Sequence, residues 1–174
     1  MKGDSNPTIR ACTRDDIEAL GLVGAATFLE TFAGVLDGRA IVAHCAQAHD
    51  PHRYRELIGL GCQAWLAEVA PDRAPIGYAL VGPSLLTLAD PGEIDLKRLY
   101  VMGYWHGSGV GSALLEQAVD HARAGGHHRL LVGVYVGNAR AIAFYRRHGF
   151  EQVGDRVFNV GQRTYDDLVF ARKL

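Results

Sequence analysis

Arg98-Leu-Tyr-Val-Met-Gly-Tyr-Trp-His-Gly-Ser-Gly-Val-Gly111, followed at once by Ser112-Ala-Leu-Leu-Glu-Gln-Ala-Val-Asp-His-Ala-Arg123, decides how the chain is read. The β-branched and aromatic residues between Arg98 and Val101 mark the end of a strand. Glycines at 107, 109 and 111 alternate through the turn that follows, removing the Cβ atoms that would hold a ligand off the backbone. They stand where the first N–H groups of the next helix lack intrahelical partners and where the helix dipole is positive. Strand, glycine loop and helix start together read as a cradle for phosphate.

Two sharper glycine motifs are excluded. A dinucleotide fingerprint begun at Gly107 needs glycine at 112, where Ser112 stands, and a P-loop needs a Gly-Lys-Ser/Thr run that is absent. What remains is the order Gln/Arg-x-x-Gly-x-Gly/Ala, with His106 in the first place and Gly109 and Gly111 in the others. The next segment, Arg129-Leu-Leu-Val-Gly-Val-Tyr-Val136, is a continuous apolar run of the kind a strand buried on both faces produces. A short helix follows from Asn138, its N-cap, to the stop at Gly149-Phe150.

In the order and spacing of these stretches (Leu-Tyr-Val at 99–101, His106 to Gly111, Asn138 to Phe150) the chain resembles the GNAT superfamily of acyl-CoA-dependent N-acyltransferases. The resemblance runs from about Ile76 to the C-terminus. It implies an α+β fold with a mixed, mostly antiparallel central sheet, helices on both faces, and a parallel strand pair, 93–101 and 129–136, splayed to admit a pantetheine arm. Acetyl-CoA is the cosubstrate it implies. The cofactor contacts carried over are Leu99, Tyr100, Val101, His106, Gly107, Ser108, Gly109, Val110, Gly111, Ser112, Asn138, Tyr145 and Arg147. His106 departs from the family pattern, in which glutamine or arginine is usual; histidine still offers an N–H to phosphate, more strongly when protonated.

The 174 residues, 48% hydrophobic with net charge −1, are expected to form one domain over 1–174 with a substantial core. Near-neutral charge argues against nucleic acid or an anionic membrane as partner. With no secretory leader and no run long enough to span a bilayer, and with Cys12, Cys45 and Cys62 odd in number and widely spaced, a reducing cytoplasmic setting with free thiols is expected. Met1–Pro7 reads as loose, and Thr8–Cys12 as a strand. Thr13 caps a helix through Ile17, Leu20 and Val23, with further helices over Arg39–His49 and from Pro51 to Ile58. Gln63–Val69 and Ile76–Val81 read as a hairpin, Pro83–Pro91 as a loop, Glu93–Val101 as a strand, and Glu151–Val160 with Tyr165–Arg172 as a strand pair.

Acetyl transfer to an amine needs a neutral nucleophile, an oxyanion site and a proton for the leaving thiolate. By resemblance Tyr145 is the acid that protonates the thiolate. Asp95 and Glu93, on one strand face by alternation, are candidate bases, against the plainer reading of carboxylates at a strand start. His44, His49 and His52 complete no metal spacing and read as solvated side chains, so no metal is expected. For the acceptor, Glu30 and Asp37 would attract a cationic amine and Phe28 and Phe32 would line an apolar wall. The weak likeness of Thr27-Phe-Leu-Glu-Thr-Phe32 to small-amine acetyltransferases points to a small primary amine. A peptide or protein amine, or a silent module that senses coenzyme A, are the alternatives, and a homodimer stays open.

Overall fold

The computed structural model describes residues 6–84 and 90–174. In chain order these form β1 (Thr8–Ala11), α1 (Ile17–Phe32), α2 (Gly38–Ala48), α3 (Pro51–Gly59), β2 (Gln63–Val69), β3 (Ala74–Pro83), β4 (Glu93–Val101), α4 (Val110–Ala124), β5 (Arg129–Tyr135), α5 (Ala139–Arg147), β6 (Glu151–Val160) and β7 (Arg163–Lys173). Each helix starts where a small polar or glycine residue permits. The Thr13 hydroxyl and the Asp16 carboxylate close a capping box on a 3-10 turn that runs into α1. Asp37, Asp50 and Asn138 accept from the first turns of α2, α3 and α5. Elements end within a few residues of their expected positions. The expected loose start and the 83–91 loop fall partly on 1–5 and 85–89, outside the described residues.

The strands join one sheet in the order β1-β2-β3-β4-β5-β7-β6, antiparallel everywhere except between β4 and β5. That parallel ladder holds only Glu93↔Arg129, Ile94↔Leu130 and Asp95↔Leu131. Beyond Asp95 the two strands have no common rungs, although β4 stays paired to β3 as far as Val101 and β5 to β7 as far as Tyr135. The expected splay is therefore present, with α4 starting just past its open end.

Helices cover both faces. Leu114, Leu115, Ala118, Val119 and Ala122 of α4 are fully buried against Ala79, Leu96, Leu130 and Phe170 of the sheet, each leucine contributing roughly 2 kcal/mol. On the other face Ile17, Leu20 and Val23 of α1 pack with Tyr54 and Leu57 of α3 on Leu66, Tyr78 and Leu80. Phe28, Phe32 and Ile41 close the edge against Val160. One irregularity has local consequences. Val81 pairs with Leu96 but Leu80 with Arg98, so Lys97 is an extra residue in β4. Ile94 and Leu96 face α4 before this bulge, and Leu99 and Val101 face it afterwards. Arg98 and Tyr100 are thereby turned to the α1 side.

Candidate active site

The loop between β4 and α4 carries the backbone geometry its glycines permit. Gly107 and Gly109 adopt φ of +77° and +89°, conformations L side chains rarely take, and a Cβ at either would meet nothing within 4 Å. The space in front of the α4 N-terminus is thus open, with the first helical N–H groups facing it. A cavity of about 360 Å³ begins there and is lined by Leu99, Tyr100, Val101, Trp105, His106, Gly107, Gly109, Gly111, Ser112, Asn138, Arg140, Phe144, Tyr145 and Arg147 among others. The structure brings together eleven of the residues expected to hold the cofactor. Ser108 and Val110 lie off the lining: the Ser108 hydroxyl donates to Trp105 O at 2.6 Å, and Val110, the first residue of α4, is buried in the core.

His106 is on this lining and is held at both ring nitrogens. Its Nε2 lies 2.7 Å from Val101 O, and because a carbonyl only accepts, Nε2 carries the proton. Its Nδ1 then accepts from Arg140 Nη1. Both ring nitrogens are engaged inside the protein, so the expected N–H toward phosphate is not offered. A second pair was not visible in the sequence. His148 Nδ1 donates to Phe144 O at 2.9 Å, leaving Nε2 to accept from the Ser112 hydroxyl at 3.0 Å, which ties α5 to the first turn of α4.

Backbone N–H groups of β4 face the splay. Met102 N–H donates to Ile76 O at 2.8 Å on β3. By strand alternation the N–H groups of Leu99 and Val101 point the other way, into the gap that β5 leaves. Across that gap stands Tyr145, 5% exposed, its ring held by Phe144 and Phe150 at 5.2 and 5.3 Å. Burial, with smaller contributions from Tyr100 and Asp95, keeps its hydroxyl protonated well above the ordinary tyrosine range. Asn138 lines the same cavity while its side chain caps α5 through Ala141 N–H at 3.1 Å, so the capping and lining roles coexist.

The two carboxylates of β4 are not brought to this point. Glu93 is buried in an ion pair with Arg129 and accepts from Asp90 N–H at 2.7 Å, some six residues, or roughly 20 Å of strand, from Leu99. Asp95 is buried beside Lys97 Nζ at 3.6 Å, and burial raises its pKa. Neither lines either cavity; both sit in ion pairs at the closed end of the β4–β5 ladder.

A second cavity of about 410 Å³ adjoins the first, lined by Glu30, Thr31, Phe32, Val35, Gly103, His106, Tyr135, Asn138 and Arg140 among others. Glu30 accepts from Gly103 N–H at 2.7 Å, fixing α1 to the 103–105 turn, and Phe32 packs against Tyr135 at 6.0 Å. Phe28 lies behind this lining, 2% exposed and stacked on His44 at 4.4 Å. Asp37 is occupied in capping α2, its Oδ1 accepting from Ala40 N–H at 2.8 Å. The histidines also differ from expectation. His52 is exposed, but His44 is half-buried and His49 only 4% exposed. Burial, reinforced by the nearby Arg98 charge, lowers His44 to about 4 and His49 to about 3. Among the described residues no helix is long and apolar enough to cross a membrane.

Comparison with known proteins meets this geometry. A family model described as acetyltransferase (GNAT) family matches residues 39–150. An uncharacterized N-acetyltransferase of Mycobacterium tuberculosis is 34% identical over 95 residues, 55% of this chain and 61% of the relative. An L-methionine sulfoximine/L-methionine sulfone acetyltransferase of Pseudomonas aeruginosa is 37% identical over 106 residues, 59% of this chain and 60% of the relative. The chain thus spans under two thirds of the curated relatives it matches. In fold it is similar to a PaiA N-acetyltransferase from Thermoplasma acidophilum solved in complex with coenzyme A, with TM-score 0.78, 18% identity and coverage of 97% and 99% of the two chains.

Proposed function

The chain belongs to the acetyltransferase (GNAT) family, and we propose that residues 1–174 act as one unit that moves an acetyl group from acetyl-CoA to a primary amine of a small molecule, by direct attack. The observation that carries this reading is the splay of β4 from β5 beside the glycine loop, with Tyr145 and the inward N–H groups of Leu99 and Val101 on one cavity. The pyrophosphate rests on the 107–112 loop and the α4 N-terminus, with the guanidinium groups of Arg140 and Arg147 on the same lining. The acyl carbonyl lies along β4, where those two N–H groups receive the oxyanion as it forms. The amine approaches from the cavity bounded by Glu30 and Phe32 and loses its proton to water through the opening. Tyr145, still protonated at neutral pH, gives its proton to the departing thiolate.

The name of the Pseudomonas relative, which acts on a small amine-bearing molecule, supports a small acceptor over a protein one. The deciding experiment follows free thiol released from acetyl-CoA across amino acids, polyamines, aminoglycosides and N-terminal peptides. Saturable turnover with a small amine is expected. Turnover with peptides alone replaces the acceptor class, and coenzyme A binding without turnover replaces the enzyme with a sensor.

A further inference from the structure

The two buried side-chain atoms that lack a hydrogen-bond partner among the described residues, Arg98 Nη1 and His49 Nε2, belong to one cluster. Tyr54 joins them: its hydroxyl lies 2.9 Å from His49 Nδ1, and Arg98 Cζ stands 4.9 Å from the centre of its ring. The Tyr54 hydroxyl donates to that of Tyr78 at 3.2 Å, and Tyr78 stacks on Tyr100 at 6.2 Å. No member of this group is acidic, so Arg98 is an enclosed cation beside neutral rings. That arrangement is costly unless an anion completes it. Room has been kept for the cluster. A Cβ at Gly24 would fall 2.3 Å from the Tyr54 hydroxyl and 2.4 Å from His49 Nδ1.

The cluster meets the candidate active site at Tyr100; Arg98, His49, Tyr54 and Tyr78 stand behind it and are not on the lining of either cavity. Tyr100 follows Arg98 by two residues on the same face of β4, roughly 7 Å along the strand, and lines the cavity that holds Tyr145. Phe28 packs on Tyr100 at 6.4 Å and leads along α1 to Thr31, which lines both cavities. Resting on the acetyl-transfer reading above, we propose that the acceptor is a small primary amine that itself carries a carboxylate, and that Arg98 receives this carboxylate. A guanidinium pairs with a carboxylate through two parallel N–H bonds, a geometry an ammonium does not reproduce. The amine of the same molecule is then held toward Tyr100 and the splay. This selects free amino acids and their like over polyamines and over peptide N-termini.

The test compares matched acceptors in the thiol-release assay: L-lysine with cadaverine, L-ornithine with putrescine, L-leucine with isoamylamine and with L-leucinamide. In the parent protein the carboxylate-bearing member should have the higher kcat/KM by about tenfold or more, the worth of a hydrogen-bonded charge. In Arg98→Gln and Arg98→Lys that ratio should fall toward one through the acceptor KM, with the KM for acetyl-CoA unchanged. Thermal protection by coenzyme A reports whether each variant is folded. If neither variant folds, the ratio in the parent protein decides alone. Equal or faster turnover of the decarboxylated or amidated partners, preference for a peptide N-terminus, or an unchanged ratio in folded Arg98→Gln overturns the proposal and leaves acetyl transfer standing. Failure of every acceptor to release thiol overturns acetyl transfer itself, and this proposal with it.

Discussion

Arg140 on α5 donates through Nη1 to Nδ1 of His106, while the same imidazole donates through Nε2 to Val101 O. One ring thus pins the glycine loop to the end of β4 and to α5, the elements on either side of the splay. Arg140 lines both cavities and is held in place by this contact.

Arg140→Ala should release the pin and remove a cation from the pyrophosphate side. The KM for acetyl-CoA is expected to rise on the order of tenfold, the worth of roughly 1.5 kcal/mol, with kcat little changed. Steady-state kinetics at two ionic strengths check this, since the parent KM should depend on salt more steeply than the variant's. A variant with parent KM removes Arg140 from the cofactor site.

Gly111→Ala separates the cradle from the fold. A Cβ there meets Phe144 at 3.6 Å and Val101 Cγ2 at 3.9 Å, ordinary contacts, and the residue is not at positive φ. The protein should therefore melt near the parent temperature. Coenzyme A at a hundred times its Kd stabilises the parent by about 2.7 kcal/mol, and most of this protection should vanish in the variant. Full protection would place the pyrophosphate elsewhere.

Tyr145→Phe keeps the ring between Phe144 and Phe150 and removes only the hydroxyl. Loss of a general acid costs on the order of a hundredfold in rate, so kcat should fall by about that factor while the KM for acetyl-CoA holds. Parent turnover in this variant would make Tyr145 a packing residue.

Gly24→Ala would ordinarily favour a helix interior by about 1 kcal/mol. Here the added methyl meets the His49–Tyr54 pair at 2.4 and 2.3 Å, both partners buried. A net loss of about 1–3 kcal/mol is expected, read as a lower urea midpoint at unchanged m-value. An equally stable variant would show slack around the cluster.

Acid should weaken the fold through His49. Its pKa falls from the ordinary 6.5 to about 3 on folding, so between these values the unfolded chain binds a proton that the folded chain refuses. The unfolded state then holds more protons, and unfolding free energy drops as pH falls, by up to about 1.4 kcal/mol per unit. His44, lowered to about 4, acts in the same sense. Asp95 and Asp167, raised by burial, act oppositely nearer the carboxylate range, so the clean window is about pH 6.5 to 5. Urea midpoints across it should fall with acid in the parent and more shallowly in His49→Gln. Equal slopes would mean that His49 is protonated in the folded state.

Much of this protein is legible in the chain because it is local. The left-handed φ at Gly109, the Asn138 cap, the buried run of β5 and the apolar stripe of α4 are each set by residues within a turn or two of one another. The glycine loop, contiguous from His106 to Ser112, is legible for the same reason. What tertiary structure decided depends on register between distant segments. The ladder of β4 with β5 stops at Asp95, which opens the splay and leaves Glu93 at its closed end, paired to Arg129. The bulge at Lys97 shifts which side chains face α1, so Arg98 enters the aromatic cluster instead of the α4 core. The partners of His106, His148 and His49 come from other elements. A sequence states which groups are present, but an imidazole's partners and a carboxylate's burial follow only from how strands are paired and helices laid across them.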